Sequence, residues 1–197
     1  MFETSKIVFS PRVRKSPYFN STIKYGAKAF SVYNHMYMPV SYGGVVEDYT
    51  NLLNGVQLWD VGVERQVQIK GPDAEAFAQF LTPRDIKKCP IGQAMYTPLT
   101  DFKGNLINDP VMLRIAKDCY WFSVSDGDLL LWAQGIAAGY KFDVDVDEPD
   151  VSPLQVQGPN STKLMIKVFG DWINDITFYK FKEIEYQGIP LVIARMG

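Results

Sequence analysis

Apolar and polar positions alternate most cleanly just past residue 60. Val63, Val67 and Ile69 stand at odd positions among Arg65, Gln66, Gln68 and Lys70, the two-residue period of a strand buried on one face. Gly71-Pro72 stops that strand, because proline offers the ladder no N–H and glycine turns freely. Asp73 stands where a helix cap is needed, Phe77, Phe80 and Leu81 share one face of the predicted helix 74–81, and Pro83 closes it. The same construction returns later. Leu154-Gln155-Val156-Gln157 alternates and Gly158-Pro159 interrupts. Asn160 or Ser161 can then cap a helix carrying Leu164, Met165, Val168 and Phe169, with Gly170 as its stop. The two Gly-Pro steps are 87 residues apart, too far for a solenoid, so the pattern predicts two related half-domains. Coincidence is the competing reading, since strand, Gly-Pro and helix is a simple way to turn a chain.

The rest of the chain reads as short strands with interspersed helices. The stretch up to Pro39 is rich in Pro, Ser, Tyr and basic residues and predicts an extended arm followed by short strands. Val45, Val46, Tyr49, Leu52 and Leu53 fall at helical spacing, ended by Asn54-Gly55. Residues 111–116 and 119–124 predict a hairpin around Lys117-Asp118. A helix begins at Ser125 or Asp126, runs through Leu129, Leu130, Ala133, Ile136 and Ala137, and stops at Gly139. Phe142, Val144 and Val146 alternate with aspartates as another one-faced strand, and residues 183–194 form a last hairpin turning at Gln187-Gly188. The expected class is α+β, mainly antiparallel sheets with packed helices. Its expected organisation is an arm and first segment over 1–55, a first half-domain over 56–147 and a second over 148–197. The chain stops directly after a good strand, so a fragment of a longer protein is expected.

Composition narrows the function classes. With 47% apolar and 21% charged residues in 197, the chain can close a core and does not suit disorder. A net charge of −2 speaks against nucleic acid and anionic membrane surfaces as partners. No run of about 18 apolar residues predicts a membrane span. Residues 1–11, with Glu3 and Lys6, hold no apolar signal-peptide core, so the cytoplasm is expected. Cys89 and Cys119 form no CxxC and no Cys/His cluster, which predicts buried free thiols and no metal. His35 is the single histidine and lacks a matching nucleophile motif. It reads as a hydrogen-bonded structural residue. GxGxxG, GxxxxGK and HExxH are all missing from the sequence. What remains is the loop 96–110. There Lys103-Gly104-Asn105 makes a turn that carries Tyr96 and Asp109 to the same end of two neighbouring strands. An aromatic ring beside a carboxylate suits a flat ligand bearing N–H donors. A turn-capping aspartate before a proline fits the same residues.

At this loop the sequence resembles a known family. LWDV (58–61), IKGPDAEAF (69–77), Gly104 followed by Asn108-Asp109, and VQGP (156–159) fall in the order seen in the glycine-cleavage T-protein family of folate-binding proteins. The match runs from about residue 11 to 197. SPRVRKSP (10–17), VYNHM (32–36), WDV with ERQV (59–67), NDPV (108–111), SDGDLL (125–130), EPDVSPL (148–154) and IAR (193–195) are most similar to the dimethylsulfoniopropionate-demethylating branch. The aminomethyl-transferring branch typically carries a double aspartate where this chain has Asn108-Asp109.

The resemblance implies a cofactor, tetrahydrofolate, and a reaction, transfer of a methyl group from a sulfonium to N5 of the folate. It implies that Asp109 is the folate-contacting, catalytic carboxylate and that Tyr96 packs beside the ring. Ser123, Val124 and Ser125 would lie where the family's strand meets the pterin, and Tyr179 or Phe178 would form another wall. A sulfonium favours aromatic faces, for which Tyr33, Tyr37 and Trp59 are the candidates. The implied partner is a small-molecule methyl donor, with a homodimer left open. A further pterin-binding segment and a C-terminal barrel would follow residue 197. Two other functions stay open: aminomethyl transfer, and folate binding without catalysis as in the family's iron–sulfur-assembly branch.

Overall fold

The structure, a computed structural model, describes residues 9–197; the start of the predicted arm, with Glu3 and Lys6, lies outside the described residues. Helix α1 (Phe19–Lys24) leads into a hairpin of β1 (Ala29–Tyr33) and β2 (Met36–Ser41), then α2 (Val45–Asn54) and β3 (Gln57–Asp60). Next come β4 (Gln66–Lys70), α3 (Ala74–Phe80), β5 (Ala94–Tyr96), and the small pair β6 (Leu99–Thr100) and β7 (Leu106–Asn108). They are followed by β8 (Val111–Ala116), β9 (Cys119–Ser123), α4 (Leu129–Tyr140) and β10 (Asp145–Asp147). The described chain ends with β11 (Leu154–Gln157), α5 (Ser161–Phe169), β12 (Lys180–Tyr186) and β13 (Ile189–Arg195). All named strand pairs are antiparallel, so the α+β class with mainly antiparallel sheet is the one observed.

The centre is a five-stranded sheet in the order β10-β4-β9-β8-β5. Val67, Ile69, Met112, Tyr120 and Phe122 point to one face and meet Ala74, Phe77 and Ala78 of α3 and Leu129, Ala133 and Ala137 of α4. Burying a side chain such as Phe77, fully removed from solvent, stabilises by roughly 2–3 kcal/mol. The opposite face carries Ala94, Val111, Leu113 and Trp121, and it packs on Tyr179, Phe181 and Val192 of the last hairpin. Backbone bonds from Ala94 N to Tyr179 O (2.7 Å) and from Phe181 N to Gly92 O (3.0 Å) tie that hairpin to the β5 edge. Outside this sheet, β3 pairs with β11 as a separate two-stranded sheet.

Both Gly-Pro steps are tight turns between a strand and a helix. Gly71 has φ +142°, and a Cβ there would lie 2.7 Å from Asp143 O. Gly158 has φ +121°, and a Cβ would lie 2.6 Å from Gly55 O. Backbone passes too close in both places for any side chain.

Four local expectations are corrected. Asp73 makes no cap bond to α3; its Oδ2 accepts instead from Asp143 N at 2.9 Å, clamping the chain entering β10. Helix α4 starts at Leu129, because Gly127 has φ +148° and Asp126 is held by another part of the chain. It runs through Gly139 to Tyr140, and Lys141, in the left-handed conformation with φ +58°, caps its end. The predicted arm contains α1, anchored by buried Phe19 and Thr22. Phe19 stacks there with Phe9, Phe30 and Tyr37.

Candidate functional site

The site is built at one end of the central sheet. Register places Gln66, Ser123, Val111 and Tyr96 in a single row across β4, β9, β8 and β5. Directly opposed residues share a face, and this row lies on the face turned towards the last hairpin. Asp109 sits just before β8 and Ser125 just after β9, so both extend the row at its end. Thr97 N donates to Pro110 O at 2.9 Å, which closes the β6–β7 excursion and returns the chain beside Tyr96.

Asp109 is half-buried and held from two sides. Ser125 Oγ donates to its Oδ1 at 2.6 Å, and the Tyr96 hydroxyl donates to its Oδ2 at 3.3 Å. A carboxylate has about four acceptor sites, so two donors leave it capacity for a ligand. Partial burial, then the Asp109 carboxylate and its hydrogen bond, then nearby Tyr179 push the Tyr96 phenol above its ordinary value. Tyr96 therefore stays a neutral donor through the physiological range.

Ser125 is fixed in turn. Asn108, 4% exposed, accepts from Ser125 N through Oδ1 at 3.1 Å and donates from Nδ2 to Ser125 O at 3.1 Å. Asparagine suits this reciprocal pair because it carries donor and acceptor together; aspartate could only accept when ionised. The tip of the β1–β2 hairpin reaches the same loop. Asn34 and His35 both take positive φ, +48° and +60°, as a two-residue hairpin turn matched to strand twist requires. His35 Nε2 lies 3.2 Å from Asp128 Oδ1, with both side chains mostly exposed.

Among the other candidates, the Ser123 Oγ accepts from Gln66 Nε2 at 3.0 Å. The Val124 side chain is buried in the main core, and its N–H donates to Arg65 O at 3.0 Å. Tyr179, with φ +59°, packs on the sheet face beside Val111, and exposed Phe178 stacks edge-on against it at 4.5 Å. Tyr96, Asp109, Ser123, Ser125 and Tyr179 thus converge on one end of one face. The three aromatic candidates are spread elsewhere. Tyr37 is 4% exposed and enclosed by Phe9, Phe19 and Phe30. Tyr33 is half-buried at the β1 end beside the Asn34 turn. Trp59 is 40% exposed on β3, opposite Gln155.

Asn34, Asn108 and Gln66 also belong to this end of the sheet, where the sequence pattern gives them no role. Gln66 is 6% exposed, although alternation assigns it to a polar face; its Nε2 bonds Glu64 O and Ser123 Oγ, and its Oε1 has no partner among the described residues. The available signal for Asn34 was its place in a two-residue gap between two strands, where left-handed backbone is needed.

The fold is a mixed antiparallel α+β unit with a carboxylate, a tyrosine and a serine gathered at one sheet end. The chain belongs to the family described as the GCVT N-terminal domain, whose model matches residues 18–197. It is 45% identical over 188 residues to the dimethylsulfoniopropionate demethylase DmdA of Ruegeria pomeroyi, covering 95% of this chain and 52% of that protein. It is 27% identical to an aminomethyltransferase of Desulfitobacterium hafniense, covering 94% of this chain and 51% of that one. The fold matches the glycine cleavage system aminomethyltransferase T from Bartonella henselae with a TM-score of 0.76 at 22% identity, over 86% of this chain and 47% of that one. The chain spans about half the length of the relatives it matches.

Proposed function

We propose that this chain forms the folate-holding part of a methyltransferase that moves a methyl group from dimethylsulfoniopropionate to tetrahydrofolate. The observation that carries the reading is Asp109, half-buried and pre-aimed by Ser125 and Tyr96, in a chain 45% identical to a demethylase of that substrate. The residues fit a reduced pterin. The carboxylate has spare acceptor capacity for ring N–H groups, the Tyr96 and Tyr179 rings offer flat walls, and Val111 offers an apolar floor.

Tetrahydrofolate, when bound, supplies N5 as the nucleophile that takes the methyl group. The sulfonium is already a good leaving group, so the protein's work is to hold two substrates in line. Asp109 orients the pterin through its N–H groups. Ser125 and Tyr96 keep the carboxylate from rotating away. For the cationic donor Tyr33 is the aromatic face proposed, since the tip of its hairpin reaches the Ser125 loop; Trp59 lies on the separate β3–β11 sheet and Tyr37 serves packing. The cytoplasm is part of the proposal, supported by two free, buried thiols, Cys89 and Cys119. Aminomethyl transfer is the second reading, favoured by the aminomethyltransferase relatives.

Asp109→Ala is expected to weaken tetrahydrofolate binding by at least tenfold, as for loss of a hydrogen bond to a charged group, with little change in melting temperature. Calorimetric titration of the whole protein reads this directly, and unchanged affinity removes Asp109 from the site. Turnover of the unmodified protein with dimethylsulfoniopropionate and tetrahydrofolate should yield methyltetrahydrofolate. Turnover only with an aminomethyl donor would favour the second reading.

A further inference from the structure

We propose that Asn34, remote from Asp109 in sequence, is a positioning residue for the folate site, acting through Ser125. This rests on the reading that Asp109 contacts the folate. Asn34 is 3% exposed and every polar atom of its side chain is engaged. Its Nδ2 donates to Val63 O at 3.0 Å and to Ser125 O at 3.1 Å, and its Oδ1 accepts from Gly127 N at 2.8 Å. Its own backbone N donates to Asp126 Oδ1 at 2.8 Å. One side chain therefore bridges the segment before β4 to both sides of the 125–127 turn.

The bonds converge on Ser125. Its carbonyl accepts from Asn34 and from Asn108, and its N–H is held by Asn108. With the backbone fixed from two directions, the short serine side chain has little freedom beyond rotation about one bond. Its hydroxyl makes the closer of the two contacts to Asp109, 2.6 Å against 3.3 Å from Tyr96. The turn itself needs only a residue tolerant of positive φ. A glycine would serve the turn equally well. The amide is needed for the clamp.

That difference supplies the experiment. Asn34→Gly keeps the hairpin turn and the backbone bond to Asp126, and it removes only the side-chain clamp. Asn34→Asp keeps the acceptor for Gly127 N and loses the two donations, and it stands in should the glycine variant not fold. Tetrahydrofolate titration and steady-state kinetics of the whole protein would be measured for Asn34→Gly, Ser125→Ala, their combination and Asp109→Ala. A clamp acting through Ser125 raises the tetrahydrofolate Kd and KM by about tenfold in either single variant, the worth of one charge-assisted hydrogen bond, and the two variants share one KM-against-kcat split. The combination is then no worse than the weaker-binding single variant. Unchanged affinity in a folded Asn34 variant, or losses that simply multiply in the combination, overturns the proposal. If Asp109→Ala weakens binding and the Asn34 variants do not, only the clamp fails. If Asp109→Ala leaves affinity unchanged, the folate reading fails and takes the clamp with it.

Discussion

The two strand–Gly-Pro–helix units begin alike and end in different surroundings. In the first, β4 is the second strand of a five-stranded sheet, and α3 buries Ala74, Phe77 and Ala78 completely. In the second, β11 has only β3 beside it among the described residues, and no residue of α5 is buried. Helix α2, next to that small sheet in sequence, also has no buried residue, and it exposes Val45, Val46, Tyr49 and Leu53. The lesson concerns levels of organisation. Strand, turn and helix are specified by residues within reach of one another, so both units form. Burial is specified by what the rest of the chain brings to the helix, and the central sheet brings more.

Three experiments sharpen this contrast. The largest effect is expected at corresponding helix positions. Phe77→Ala in α3 should destabilise by about 3–5 kcal/mol, and its counterpart Leu164→Ala in half-buried α5 by only about 1–2 kcal/mol. Denaturant melts read both, and equal costs would mean the two units share one kind of core. The glycine turns should remove the contrast. Gly71→Ala and Gly158→Ala each press a methyl group against backbone at positive φ, and each should cost about 2–3 kcal/mol. A large inequality between them would show that the turns are not equivalent.

The smallest effect is electrostatic and lies between the units. Glu148 follows β10 and precedes β11, and it accepts from Arg14 at 2.9 Å and from Arg65. Burial alone would raise its pKa, but the bonds and charges of Arg65 and Arg14 outweigh it and hold the carboxyl below its usual range. A depressed pKa contributes stability that is present above the unfolded value and is lost as pH falls through the folded one. Stability should therefore decline below about pH 4.5. Glu148→Gln should cost about 1 kcal/mol at neutral pH and flatten part of that acid decline, as melts across pH 3–7 would show.

How far the chain was legible follows the same division. Helix α2 and the hairpins β8–β9 and β12–β13 were readable because periodicity, turn residues and stops coincide there. Helix α1 was not, since six residues with two buried side chains carry no usable period. The start of α4 was not legible because the positive φ of Gly127, which interrupts the cap-like stretch 125–128, leaves no mark in the sequence pattern. Tyr96 and Asp109 could be placed together from one turn. The asparagines that brace Ser125 could not, because their partners are up to 93 residues away and a lone asparagine has no motif. Tyr37 shows the converse. Its ring suggested an aromatic face for a sulfonium, but Phe9, Phe19 and Phe30 surround it.

The pairing of β3 with β11 has a consequence for the order of folding. Every strand of the five-stranded sheet lies between those two in the chain, so the outer pair can meet cheaply only after the inner sheet has drawn its ends together. The inner sheet is expected to be the early, protected unit, and the β3–β11 pair the late one whose amides exchange first.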